Sequence, residues 1–146
     1  MTAASLAATF NATSREFDAV TPQVWGPAGQ SLAFALGLAT GDAVLDVCSG
    51  TGASAIPAAA AVGPDGLVHA IDLADDLLEV GRVKATDRAL RNIDFVVADA
   101  TEWEPPSTVP DAGYDALACS YGIFFLPDPE QDFARLVSLV RPGGRV

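Results

Sequence analysis

Apolar residues fall along the chain in short continuous runs separated by turn residues, and longer stretches of helical spacing lie between the runs. The first run is AVLDVC (Ala43 to Cys48), then LVHAID (Leu67 to Asp72), IDFVVAD (Ile93 to Asp99) and YDALACS (Tyr114 to Ser120). Runs of this length that hardly alternate read as strands buried on both faces. A helix is expected over 29–39, ending at Thr40-Gly41, where glycine is a natural terminator. A second opens at the turn SGTG and runs to about Val62, with Pro57 near its first turn. A third spans about Ala74 to Leu90 and places Leu77, Leu78, Gly81 and Ala85 on one face. A fourth starts at Asp128-Pro129, with Asp as cap, Pro in the first helical position and Gln131 completing a box-like spacing, and runs to Val140.

Strands that alternate with helices imply parallel pairing through right-handed crossovers. The expected fold is therefore α/β, a doubly wound Rossmann-like parallel sheet. Residues 1–28 read as an N-terminal arm with one short helix, carrying Phe10, Phe17 and Trp25, and residues 29–146 as the main domain. On this reading RPGGR leads to a fifth strand that would begin only at Val146, so the sheet is expected to be truncated before strand five, its fourth strand an exposed edge. The chain would then be a fragment, or something else would cover that edge.

Composition narrows the chemistry. Half of the residues are apolar and 18% are charged, which is globular rather than disordered. No run is long enough to span a bilayer and no secretory signal is evident, which makes the cytoplasm the default. Nineteen acidic residues against eight basic ones give a formal charge of −11. Nucleic-acid binding draws on Lys and Arg neutralising phosphates, so no nucleic-acid partner is expected. Arg82, Lys84, Arg88 and Arg91 form a modest basic group read as a solvated helix face. Cys48 and Cys119 fit no zinc spacing and no disulfide framework, and no metal is expected. They lie near the ends of neighbouring strands and could meet, but Cys48 is read as a turn residue and Cys119 as core. His69, inside the second strand, is read as structural.

The chemical signal is the turn Gly50-Thr51-Gly52 between a strand and a helix. Glycine there lets a ligand approach the main chain closely, and the helix start exposes free N–H groups. Gly50, Gly52 and Ala55 also fit the dinucleotide fingerprint, so the turn alone leaves two cofactor classes open. Asp72 ends the second strand, 22 residues after Gly50, where its carboxylate can accept both hydroxyls of a ribose. Asp46 lies four residues before Gly50. It would be awkward beside a pyrophosphate and favourable beside a cationic ligand, which leans towards S-adenosylmethionine.

VLDVCSGTG (Val44 to Gly52) resembles the first motif of class I methyltransferases, D-x-x-x-G-x-G. HAIDLADDLLEVGR looks like the segment that follows it in that family, and DFVVADA like the motif whose acid meets the adenine amino group. The stretch from Tyr114 to Val146 resembles the matching region of ubiquinone/menaquinone-biosynthesis C-methyltransferases. The resemblance covers roughly Ala43 to Val146 and implies the following roles. Asp46 and the turn Cys48, Ser49, Gly50, Thr51 and Gly52 would hold the methionine portion of S-adenosylmethionine, and Asp72 the ribose. Leu73 would pack on adenine, Asp99 and Ala100 would meet its edge, and Ser120 would lie beside the methionine amino group. Tyr121 would face the methyl or the substrate, or simply pack the wall. Phe124 and Phe125 would line an apolar pocket or pack the core, and Phe17 and Trp25 would cover the cofactor. The implied activity is methyl transfer to a small-molecule acceptor, with homo-oligomerisation left open and no general base assigned. Two alternatives stand beside it: a non-catalytic cofactor-binding or interaction domain, and a nicotinamide-dependent oxidoreductase.

Overall fold

The apolar runs pair side by side into one sheet in the computed structural model, which describes residues 1–146. Strands β1 (Ala43–Val47), β2 (Leu67–Asp72), β3 (Ile93–Val97), β4 (Tyr114–Ala118) and β5 (Val140–Arg145) are all parallel, in the order β3-β2-β1-β4-β5. The helices are α1 (Ala3–Ala12), α2 (Ser14–Ala19), α3 (Trp25–Ala35), α4 (Ala55–Val62), α5 (Asp75–Asp87) and α6 (Pro129–Val137). No helix is long and apolar enough to cross a membrane.

Strand β1 is central and buried at all five positions, because a helical layer covers each face of the sheet. Side chains alternate along a strand, and the alternation divides the core in two. Val44, Ala70, Ala116 and Ala118 face the layer holding Ala55, Ala58, Ala59 and Val62 of α4. Leu45, Val47, Ile71, Tyr114 and Leu117 face the layer holding Leu136 of α6. Small residues opposite an alanine-rich α4 let that helix lie close to the sheet. The face of α5 read from periodicity, Leu77, Leu78, Gly81 and Ala85, is the buried one.

The structure corrects the expected end of the sheet. A fifth strand is present at Val140–Arg145, ahead of Val146, and it covers the edge of β4. Its register with β4 runs from Tyr114↔Val140 to Ala116↔Arg145, so the intervening residues bulge. Proline lacks a ladder donor and glycine is a poor strand residue, which is why the segment reads as a turn in the sequence. The main chain nevertheless pairs, the Tyr114 N–H donating to the Leu139 carbonyl at 2.9 Å, and a side-chain ion pair supports it, the Arg141 guanidinium meeting the Asp115 carboxylate at 2.5 Å.

The N-terminal residues also differ from expectation. They form α1 and α2 rather than one short helix, and α3 starts at Trp25, so it spans the arm boundary expected at residue 28. Helix α3 stops at Ala35, not at Gly41, because Gly37 takes the left-handed conformation (φ +57°) that closes a helix. Asp128 caps α6 through the Gln131 N–H as expected, but Asp132 rather than Gln131 returns the reciprocal bond to the Asp128 N–H.

Candidate functional site

The chain leaves β1 through a turn that no ordinary sequence could follow. Cys48, Gly50 and Gly52 all have positive φ (54°, 53° and 84°). A glycine accepts that conformation freely, whereas a side chain such as that of Cys48 does so under strain. The turn is pinned from three sides. The Ser49 N–H donates to the Ile71 carbonyl at 3.0 Å, the Gly52 N–H to the Ser49 carbonyl at 2.9 Å, and the Gly50 N–H to Oδ2 of Asp72 at 2.9 Å. The other Asp72 oxygen accepts the Ala74 N–H at 2.9 Å. One carboxylate therefore organises both the glycine turn and the start of α5.

Two adjoining cavities open at this C-terminal end of the sheet, with volumes of about 110 and 450 Å³. Cys48, Asp72 and Leu73 line both. Ser49, Gly50, Thr51, Ser120 and Tyr121 line the smaller one, and Asp99 and Ala100 the larger. The remaining two expected residues lie elsewhere. Gly52 turns away towards Ile56 and Phe95. Asp46 lies beneath the turn, fully buried, with both carboxylate oxygens 2.9 Å from the Ser54 hydroxyl, which donates to them. Asp99 holds the Thr101 N–H and hydroxyl on one oxygen, at 2.9 and 2.7 Å, leaving the other free.

Part of the lining was expected and part escapes sequence reasoning. Phe125, expected in an apolar pocket or the core, lines both cavities; so does Leu6 of α1, and Phe10 of α1 closes the smaller one. Phe17 and Trp25 stack with centroids 5.1 Å apart over the same cavity, and Trp25 meets Tyr121 edge-on at 5.6 Å. Phe124 lines the larger cavity while 76% exposed. The signal for the arm was its widely spaced aromatics; nothing in the sequence marks Leu6, or Ser54 as the partner of Asp46. Glycine sets how closely α3 approaches the turn: a methyl group at Gly29 would lie 2.2 Å from the Ala53 carbonyl oxygen.

The electrostatics are those of a cation or neutral-ligand site. No Lys, Arg or His side chain lines either cavity. Burial pushes the Asp46 carboxyl up to about 7; the Ser54 hydroxyl bond opposes this and the nearby Asp72 charge adds to it. Burial also raises Asp72, despite the N–H groups of Ala74, Gly50 and Leu73 that stabilise its charge. A pyrophosphate would meet these acids with no basic side chain to neutralise it, whereas an ammonium or sulfonium would relieve them. The Ser49 hydroxyl, buried at the smaller cavity, has no hydrogen-bond partner within the chain. Such an orphaned polar atom is satisfied when a polar ligand group fills the cavity.

A parallel sheet in this order, a glycine turn after its central strand and an acid ending the neighbouring strand make a Rossmann-like cofactor-binding arrangement, the fold of class I methyltransferases. The family model that matches, over residues 30–146, is that of the ubiE/COQ5 methyltransferases, and the chain belongs to this family. Among its relatives is the aklanonic acid methyltransferase of Streptomyces sp. (strain C5), 38% identical over 94% of this chain and 60% of that protein. Another is the ubiquinone/menaquinone biosynthesis C-methyltransferase of Methylobacterium nodulans, 40% identical over 70% of this chain and 39% of that protein. The crystal structure of a SAM-dependent methyltransferase from Aquifex aeolicus shares the fold, with a TM-score of 0.65 and 23% identity over 78% of this chain and 58% of that one. The chain thus spans between about two fifths and three fifths of the length of these relatives.

Proposed function

We propose that this chain binds S-adenosylmethionine across the two cavities and forms the cofactor-binding part of a methyltransferase acting on a small-molecule acceptor. The observation that carries the reading is the Gly50–Asp72 pairing at the rim of a cavity with acids, an orphaned hydroxyl and no basic side chain. Each Asp72 oxygen spends one lone pair on a backbone N–H and keeps another for a ribose hydroxyl. Leu73 offers an apolar surface and the free Asp99 oxygen an acceptor for the adenine amino group, both at the larger cavity. Ser49, Ser120 and the turn N–H groups receive the amino-acid end in the smaller one, above the buried Asp46.

Bound there, the cofactor supplies a methyl group already activated by its sulfonium. The chain's own contribution is alignment and exclusion of water, and orientation alone can supply roughly 7–11 kcal/mol in favourable cases. The Phe17–Trp25 stack, with Tyr121 against its edge, walls the smaller cavity from solvent. The relatives named for aklanonic acid and for ubiquinone or menaquinone act on small molecules, and the aromatic wall suits an apolar, planar acceptor. The formal charge of −11 disfavours a polynucleotide acceptor, and a cytoplasmic location is the companion proposal. The test is calorimetric titration with S-adenosylhomocysteine and, in parallel, NAD. Binding of the first and not the second is expected; a folded protein that binds neither, or only NAD, overturns the reading.

A further inference from the structure

The chain's two cysteines meet at the floor of the site. The register Asp46↔Ala118 sets the C-terminal ends of β1 and β4 side by side, and Cys48 and Cys119 lie just beyond those ends. Both thiols are free and half-buried. Their sulfurs converge on Gly122: a methyl group there would lie 2.9 Å from Sγ of Cys48 and 3.1 Å from Sγ of Cys119. The Cys48 thiol donates to the Gly122 carbonyl at 3.8 Å. The influence of the neighbouring sulfur, with burial, raises the Cys48 thiol; that of Cys119 is lowered by its neighbour against the opposing effect of burial. Cys48 is held at φ +54° and lines both cavities. The more acidic sulfur is thus paired with one whose main chain shapes the ligand-binding turn.

We propose that Cys48 and Cys119 form a hydroperoxide-sensitive thiol pair, and that closing it to a disulfide weakens cofactor binding at the turn. The second half rests on the functional reading above. Cys119, the better nucleophile, attacks the terminal peroxide oxygen; the O–O bond breaks, and the departing alkoxide (hydroxide for hydrogen peroxide) leaves as the alcohol (or water) with the thiol's proton. The Cys48 sulfur then attacks the sulfenic sulfur of Cys119. The S–S bond forms as the S–O bond breaks, and the hydroxide released takes the Cys48 proton to leave as water. Two thiols lose two hydrogens, and one hydroperoxide is reduced to water and the corresponding alcohol, or to two waters for hydrogen peroxide. Cys48 and Gly122, on which both sulfurs converge, line the smaller cavity, so a ligand bound there slows the oxidant's entry. Drawing the Cys48 sulfur into a bond with Cys119 pulls on a turn whose left-handed backbone leaves little freedom.

The reduced protein is treated with hydrogen peroxide, with and without S-adenosylhomocysteine, then mapped as non-reduced peptides and titrated with the same ligand. Expected are an intramolecular Cys48–Cys119 bond, slower formation with ligand present, and a loss of affinity of about tenfold or more that a thiol reductant restores. Cys119→Ser should bind S-adenosylhomocysteine as the reduced protein does and lose the response to peroxide. A chain that keeps both thiols, forms only intermolecular bridges or binds equally well once bridged overturns the proposal. If Cys119→Ser does not fold, the wild-type peptide map and the restored affinity decide alone. Reduced protein that binds no S-adenosylhomocysteine overturns the functional reading and the affinity half, while the map still decides the pair.

Discussion

The Gly50 amide nitrogen and the Asp72 carboxylate, 22 residues apart, meet at 2.9 Å and fasten the turn after β1 to the end of β2. Because Asp72 also accepts the Ala74 N–H, its removal orphans two backbone donors as well as a ligand contact. Asp72→Ala should weaken S-adenosylhomocysteine binding by about tenfold or more, while costing about 1 kcal/mol of stability. Titration beside a thermal melt separates the two effects. Unchanged affinity in a folded variant would remove Asp72 from the site.

Gly29 brings α3 against the turn so closely that a methyl group would meet the Ala53 carbonyl at 2.2 Å. Gly29→Ala should therefore destabilise the protein by about 1–3 kcal/mol, although alanine is the better helix former. Denaturant unfolding checks this, and a variant as stable as the parent would mean the helix can shift without loss.

Asp46 makes the molecule respond to pH in an unusual direction. Its carboxyl is raised from an ordinary 3.8 to about 7, so between those values the folded protein holds a proton that the unfolded chain has released. That contribution to stability is full below the lower value and shrinks as pH rises to the upper one. Asp46→Asn keeps a partner for Ser54 and carries no charge, so above neutral pH it should gain stability relative to the parent, by on the order of a few kcal/mol at most. It should also bind the cationic S-adenosylmethionine more weakly at that pH. Parallel stability curves with no relative gain for the variant would contradict a raised carboxyl.

A polar chain crosses the other half of the core. The Trp103 indole N–H donates to the Tyr114 hydroxyl at 3.2 Å. That hydroxyl shares a hydrogen bond of 2.7 Å with Nδ1 of His69, whose Nε2 lies 3.8 Å from Asp94. Burial lowers the His69 value from 6.5, outweighing the pull of Asp94. The unfolded chain therefore takes up the proton first, and this contribution to stability, present above 6.5, is lost as pH falls. Tyr114→Phe leaves the buried Nδ1 and the Trp103 N–H unpaired and should cost about 1–3 kcal/mol. His69→Gln should flatten the stability curve just below 6.5, and a curve of unchanged slope there would exclude a buried neutral imidazole.

Much of this was legible in the sequence where physical chemistry leaves one solution. Buried parallel strands are continuous apolar runs, so β1, β2 and the face of α5 were readable, and the glycine turn announced itself because only glycine takes its angles freely. Ten of the twelve expected site residues line the two cavities. The sequence concealed elements whose order comes from partners rather than propensity. VRPGGR becomes β5 only because the edge of β4 needs covering. Helices α1 and α2 bury no residue completely; they are anchored by Asn11 on the Asp76 N–H, by the Lys84–Asp18 ion pair and by Phe10 and Phe17. Asp46 was placed near a ligand by spacing, yet its side chain answers to Ser54, eight residues further on.

The two tryptophans occupy opposite ends of this design. Trp25 lies in the stack over the cofactor cavity, and Trp103 is tied to Tyr114 in the buried polar chain. The protein thus carries two separate optical reporters. With Trp103 replaced by Phe, fluorescence of the folded protein follows events at the ligand wall; with Trp25 replaced, it follows the integrity of the core, so occupancy and unfolding can each be read from its own variant without an added dye.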